Sequence, residues 1–188
     1  MAERLFAERG YEGVSINDVA CAAGVCKANV FHHFANKQDL YERVLAQACT
    51  GFARSLDAVP LDECRLDERL ARLYDWHHAF LRDRPNGTRL ILREMMDCSP
   101  RLTQGPVFGL LRRNFDRVVA LLAESRDEMR ADVEVAVLAK LLLSLNLFGF
   151  QTEHLDQRLS GTGALPLEPE FRYQWLKVLL QGVQRRAN

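Results

Sequence analysis

Gly24 is the residue that most constrains the fold of this chain, because it separates two short segments that each repeat apolar residues at helical spacing. Ahead of it, Ile16, Val19 and Ala20 share one helical face. Ser15 precedes that face and is suited to accept a hydrogen bond from a free amide of the first turn. Asp18, three residues on, occupies a capping-box position and complements the positive end of the helix. Glycine enters the left-handed conformation that stops a helix and turns the chain. Beyond it, Val25 is expected to fill the angle between the two segments. A second helix is predicted from about Lys27 to Phe34, with Val30 and Phe34 four residues apart and facing inward.

The residues left on the outside of that second helix are Lys27, Ala28, Asn29, Phe31, His32 and His33, with Lys37 just beyond it. They suit a helix that enters the major groove of double-stranded DNA. Cations and donors hold phosphates and set the register, and Lys27, Lys37, His32 and His33 supply them. Amides and small apolar groups near the helix start read base edges. Asn29 is built for bidentate contact with adenine, and Ala28 for a thymine methyl. The competing reading is a small helical hairpin with a solvated polar face. The agreement of cap, turn, core spacing and polar face favours DNA.

Phe6-Ala7-Glu8-Arg9-Gly10-Tyr11, then Ser15 to Ala20, Ala22-Ala23-Gly24-Val25, Lys27, His32-His33-Phe34 and Asn36-Lys37 resemble the N-terminal domain of TetR-family transcriptional regulators. The resemblance covers residues 1 to about 46. It implies an all-α fold with a three-helix helix-turn-helix domain over 1–46 and a helical ligand-binding and dimerisation domain over 47–188. It implies phosphate contacts from Lys27, His33 and Lys37, and groove-facing positions for Ala28, Asn29, Phe31 and His32. Asn17 is placed near the DNA as well, beside the capping Ser15. Three positions depart from the family pattern: Cys26 stands for the customary Ser, Ala28 for Gly and Phe31 for Tyr. The last removes a hydroxyl that often donates to phosphate. The sequence also starts inside the first helical pattern, so contacts from an N-terminal arm are not expected of it.

Charge tempers the DNA reading without reversing it. The chain has 25 basic and 25 acidic residues, so it is no bulk polycation. Residues 1–46 carry five cations (Arg4, Arg9, Lys27, Lys37, Arg43) against six carboxylates (Glu3, Glu8, Glu12, Asp18, Asp39, Glu42). That balance argues against strong non-specific affinity. Most of these acids lie outside the Lys27–Lys37 surface. Five cysteines, an odd number with no C-x-x-C pair or metal-ligand spacing, point to a reducing compartment and to neither metal nor cofactor. Cys26, beside Lys27 at a helix start, is read as a poor replacement for a serine cap rather than as a redox sensor. The longest apolar stretch, Leu141–Phe150, is about half a membrane span, so a cytoplasmic protein without a membrane partner is expected.

Helical periodicity continues to the end of the chain, with helices predicted near 37–56, 66–84, 87–97, 107–125, 130–150 and 169–186. The prolines sit at or near the breaks. Residues 160–166 read as a loop. The 130–150 segment is apolar on most sides and must be buried on most sides. The last helix carries Phe171, Trp175, Val178, Leu179, Gly182 and Val183 as one stripe. With Leu138, Leu142 and Leu145, these residues are expected to form either a monomer core or a four-helix interface between two subunits. The resemblance implies the second, a homodimer whose two recognition helices read a palindromic operator. A small-molecule effector would bind among Phe52, Tyr74, Trp76, His77, Phe80, Met95, Met96, Phe108, Phe115 and Phe148, because Met and aromatic residues line adaptable apolar pockets. The same residues at helical spacing also serve as plain core. One of His77 and His78 is expected to face inward. No phosphate loop, nucleophile elbow or carboxylate pair suggests an enzyme. The expected function is a ligand-responsive repressor; the alternative is a helical interaction module that has lost DNA binding.

Overall fold

In the computed structural model the described residues are 1–162 and 170–184, without the side chains of Phe171 and Arg172. The regular structure among them is helical: α1 (Ala2–Arg9), α2 (Ile16–Ala23), α3 (Lys27–His33), α4 (Lys37–Cys49), α5 (Phe52–Asp57), α6 (Leu66–Asp83), α7 (Pro85–Met96), α8 (Pro100–Thr103), α9 (Pro106–Ala123), α10 (Val135–Gly161) and α11 (Glu170–Val183). No strand occurs among the described residues, and Met129 pairs with Gln184 in an isolated bridge.

Prolines open three of these helices, Pro85, Pro100 and Pro106, where a missing amide and a fixed φ cost nothing. Three boundaries differ from the periodic reading, the first being the start of the helix expected from 130, which begins at Val135. The helix expected over 37–56 is split, because Thr50 is extended and Gly51 takes φ +87°. The helix expected to stop at 150 runs on to Gly161. Its apolar run ends at Phe150, but Gln151 to Leu159 continue as an amphipathic helix. There the Thr152 hydroxyl donates to the Phe148 carbonyl and to Asp156. Ser160 and Gly161 are therefore helical, and residues 163–166 of the expected loop lie outside the described residues.

The chain forms two compact units, Met1–Phe52 with Arg82–Asn114, and Ala53–Leu81 with Phe115–Asn188. The boundary expected near residue 46 follows chain order, whereas the packing groups α7, α8 and the first part of α9 with the N-terminal helices. The reason is apolar. Leu90, Leu102 and Val107 enter one core with Leu5, Phe6, Val14, Val19, Val30, Leu40, Tyr41 and Leu45, and each such side chain contributes about 1.5–3 kcal/mol on burial. At Gly87 the backbones come close: an added Cβ would lie 3.3 Å from that of Ala48. A glycine there lets α7 lie directly on α4.

The second unit is built on α6 and α10. Leu66, Leu70, Leu73, Leu81, Val118, Leu122, Leu138 and Leu142 are buried in it. Two polar residues are buried with them. Arg69 donates to the carbonyls of Leu61 and Leu121, each at 3.0 Å, and pairs with Glu124 at 2.7 Å. The Asn146 amide donates to the Tyr74 carbonyl at 3.0 Å.

Candidate nucleic-acid interface

Local chemistry sets the angle of α2 and α3. The Ser15 amide and hydroxyl both donate to Asp18 Oδ2, and the Asp18 amide donates back to Ser15 Oγ at 3.1 Å, a complete capping box. These bonds hold the Asp18 carboxyl below its ordinary range, the Ser15 hydroxyl being the larger cause. At the other end Gly24 is left-handed, φ 68° and ψ 28°, and the Val25 amide donates back to the Ala20 carbonyl at 3.0 Å. Cys26 caps α3 without a side-chain hydrogen bond. Val25 does not seal the angle between the helices. It stays 38% exposed and lines an open groove of about 520 Å³ with Val19, Val30, Phe34, Leu40 and Val44.

The structure divides α3 as its spacing predicts. Val30 is buried and Phe34 packs against the same core. Lys27, Ala28, Asn29, Phe31, His32 and His33 are exposed, as are Ser15 and Asn17 on α2. Phe31 keeps 45% of its surface in solvent, and its ring lies 5.8 Å from Lys27 Nζ. The His32 and His33 rings meet edge to face at 5.1 Å. Lys37 is half-buried at the start of α4, its ammonium 4.3 Å from the centre of the Tyr11 ring.

Two of the carboxylates close to this surface are occupied. Asp18 belongs to its capping box. Asp39 accepts from Arg43 at 3.0 Å and from the Ala35 amide at 2.9 Å, and the Arg43 bond is the main cause of its lowered pKa. Neither Lys27 nor Lys37 has an ion pair among the described residues. The slight negative balance of the domain is thus not directed at its two lysines.

Behind Lys37 lies a polar cluster that sequence reasoning missed. Tyr11 meets Tyr41 edge to face at 4.9 Å. The Tyr41 hydroxyl donates to Glu94 Oε1 at 2.7 Å, and burial with that carboxylate raises the phenol's pKa well above its ordinary value. Arg101 Nη1 stands 3.6 Å from Glu94 Oε2, and its guanidinium is 4.4 Å from the Tyr11 ring centre. Tyr11 belongs to a recognisable N-terminal motif, but no sequence signal links it to residues some ninety positions away.

The residues expected around an effector fall in both units. Phe52, Met95, Met96 and Phe108 belong to the first, and the two methionines and Phe108 are exposed. Tyr74, Trp76, His77, Phe80, Phe115 and Phe148 belong to the second. The Trp76 ring lies 5.9 Å from Phe80 and 5.8 Å from His77. His77 is the histidine that faces inward, and burial, aided by His78, lowers its pKa to about 3. Phe148 is exposed.

Of the residues expected between subunits, Leu138 and Leu142 are buried inside their own unit, and Leu145 and Leu179 are half-buried. Trp175, Val178 and Gly182 are exposed, and the Phe171 side chain lies outside the described residues. The exposed apolar stripe of α10 is one register over, at Val137, Leu141, Phe148 and Leu155, and Tyr173 adds to that of α11. By length and composition α10 meets the requirement for crossing a membrane. A long core helix meets it too.

Comparison with known proteins agrees with this geometry. Residues 1–44 match the family model described as bacterial regulatory proteins, tetR family. The chain is 33% identical over 87 residues to the transcriptional repressor KstR2 of Mycobacterium tuberculosis (strain CDC 1551 / Oshkosh), covering 42% of this chain and 43% of that protein. It is 25% identical over 79 residues to IcaR, the negative regulator of the biofilm operon icaADBC in Staphylococcus aureus (strain Newman), covering 42% and 41%. The match thus spans about two-fifths of the length of these curated relatives. Among solved structures, the TetR-family regulator PfmR of Thermus thermophilus superposes with a TM-score of 0.66 at 25% identity, over 80% of this chain and 82% of that one. KstR2 superposes with a TM-score of 0.68 at 17% identity over 98% and 92%, which shows the shared fold. Residues 1–44, with their helix-turn-helix, thus match the N-terminal domain of the TetR family of bacterial regulatory proteins, and the helical body shares the fold of these regulators.

Proposed function

We propose that this protein is a homodimeric repressor that binds a palindromic operator and is released from it by a small apolar or amphipathic molecule. The observation that carries the reading is α3, which offers Lys27, Ala28, Asn29, Phe31, His32 and His33 to solvent from one buried anchor, Val30. Lys37 extends the cationic edge. Asn29 reads adenine in the major groove while Lys27, His33 and Lys37 hold phosphates. Two copies are needed to place two such helices one DNA turn apart. The exposed stripes of α10 and α11 supply a surface for that pairing, since an apolar patch of this kind marks an interaction site. The effector class is supported by the apolar, Met- and aromatic-rich middle of the chain and by the likeness to KstR2, described as a ketosteroid transcriptional regulator. The effector acts by its differential affinity for two states, commonly about 1–3 kcal/mol. The protein works in the cytoplasm, where its DNA is.

Selection of duplexes from a random-sequence pool by the full chain tests the reading. A recovered inverted repeat whose half-sites lie about one helical turn apart, bound with steep salt dependence, is the expected result. A folded dimer that enriches no sequence sinks it and favours a helical interaction module.

A further inference from the structure

The polar cluster behind Lys37 has a role that the DNA-facing residues do not account for. Glu94, at the end of α7, is only 3% exposed yet carries a carboxylate. A buried carboxylate is costly unless it is paired or hydrogen-bonded. One of its oxygens accepts from the Tyr41 hydroxyl at 2.7 Å, and the other faces Arg101 at 3.6 Å. Arg101 is fixed from a second side by Ser99, whose hydroxyl oxygen accepts from Arg101 Nη1 at 3.1 Å and from its backbone amide at 3.3 Å. So held, the guanidinium lies 4.4 Å from the centre of the Tyr11 ring, and the Lys37 ammonium lies 4.3 Å from the same centre. Tyr11 is in turn set against Tyr41. One aromatic ring thus receives two cations, one from the α8 turn and one from the start of the helix that follows the recognition helix.

We propose that Arg101, held by Glu94, is a positioning residue for Lys37 and acts through the ring of Tyr11. The inference rests on the reading of Lys37 as a phosphate contact. A lysine on its flexible stem loses rotamer freedom when it grips a phosphate. A ring fixed from behind gives the ammonium a seat beside its target, so less freedom remains to be lost on binding. Arg101 and Glu94 never touch DNA in this arrangement. They fix the plane of Tyr11, and Tyr11 seats Lys37. Displacement of the Glu94–Arg101 segment unseats a DNA contact without moving α3.

Two arms on the full chain test this. In the first, without DNA, the protein is acetylated sparingly with N-hydroxysuccinimidyl acetate, and Lys37 modification is read against Lys27 by peptide mass spectrometry. Arg101→Gln is expected to raise the ratio about threefold, the scale of one exposed cation–π contact. Removing a neighbouring cation makes an amine less reactive, so a rise reports loss of the seat. An unchanged or lower ratio overturns the proposal. In the second arm, binding to the duplex recovered by selection from the random-sequence pool is measured in a double-mutant cycle. Arg101→Gln is expected to weaken binding about threefold in the native background and to have no further effect beside Lys37→Ala. An equal loss in both backgrounds overturns the proposal and leaves the regulator reading standing. A folded native protein that enriches no duplex from the pool overturns both. Where circular dichroism shows Arg101→Gln to be unfolded, Tyr11→Leu takes its place in both arms, with Tyr11→Phe, which keeps the ring, expected to behave as the native chain.

Discussion

The hydroxyl of Tyr41 and the carboxylate of Glu94 join helices α4 and α7 through a hydrogen bond of 2.7 Å between residues 53 positions apart. It is a buried polar fastening within a largely apolar contact. Tyr41→Phe removes the donor and leaves a buried carboxylate oxygen without it, so a loss of about 1.5–3 kcal/mol is expected. Chemical denaturation at neutral pH measures it. The phenol's raised pKa gives the sign of the alkaline response. The stability it lends is present below the unfolded value near 10 and declines as pH rises toward the folded value.

His77 gives the opposite dependence. Its folded pKa of about 3 lies below the ordinary value of 6.5. The unfolded chain therefore binds the proton first, and stability present above about pH 6.5 falls as pH is lowered toward 3. One such group changes stability by about 1.4 kcal/mol per pH unit between those values. Denaturant midpoints at pH 7 and pH 5 should show the slope, and His77→Leu should flatten it. An unchanged slope in the variant would assign the acid sensitivity elsewhere.

Ser15→Ala deletes one half of the capping box and leaves the Asp18 carboxylate without its main hydroxyl partner. A cost of about 0.5–2 kcal/mol is expected. The effect on DNA binding should exceed that of an equally destabilising change in the second unit, because α2 sets the angle at which α3 is presented. Thermal melts and anisotropy with a common duplex separate the two.

Val137→Glu and Leu141→Glu place charge on the exposed stripe of α10. Each is expected to leave the helical signal intact and to shift the protein from dimer to monomer in sedimentation velocity, since an uncompensated charge in an apolar interface costs more than the contact supplies. A dimer that survives both changes would place the interface elsewhere.

Arg69→Met is expected to be among the most damaging changes in the second unit, at about 3 kcal/mol or more, because it strips the carbonyls of Leu61 and Leu121 of their donor. Equilibrium unfolding in urea measures it.

The residues behind these predictions also mark what was legible in the sequence. Ser15, Asp18 and Gly24 act on neighbours within a few positions, so cap, turn and the helix that follows could be read from spacing alone. The exposed face of α3 followed, since Val30 and Phe34 left only one way for it to turn. Gly51 carries as plain a turn signal as Gly24, but apolar residues on both sides suggested continuity. The far end of α10 was lost because its apolar run stops at Phe150 while its helical propensity does not. The grouping of α7 with the first helices, the Tyr41–Glu94 bond and the bonds from Arg69 to Leu121 and Glu124 rest on pairs far apart in the chain, 39 positions for Ala48 and Gly87 and 52 or more for the others. No local pattern encodes such pairs. Arg69 and Glu94 look like any solvated helix charges until the partner helix is in place.

Gly87 and Ala48 meet with no side chain longer than a methyl between their helices. At that spot an added Cβ on α7 would already press on the Ala48 methyl, and no compressible layer is present to absorb a push. The crossing therefore works as a fulcrum. A force that tilts the far end of α7, where Glu94 sits, is converted into rotation about Gly87 rather than into a local dent. A bulkier residue at 87 would jack the two helices apart and change the gearing between them while leaving every exposed side chain of α3 as it was.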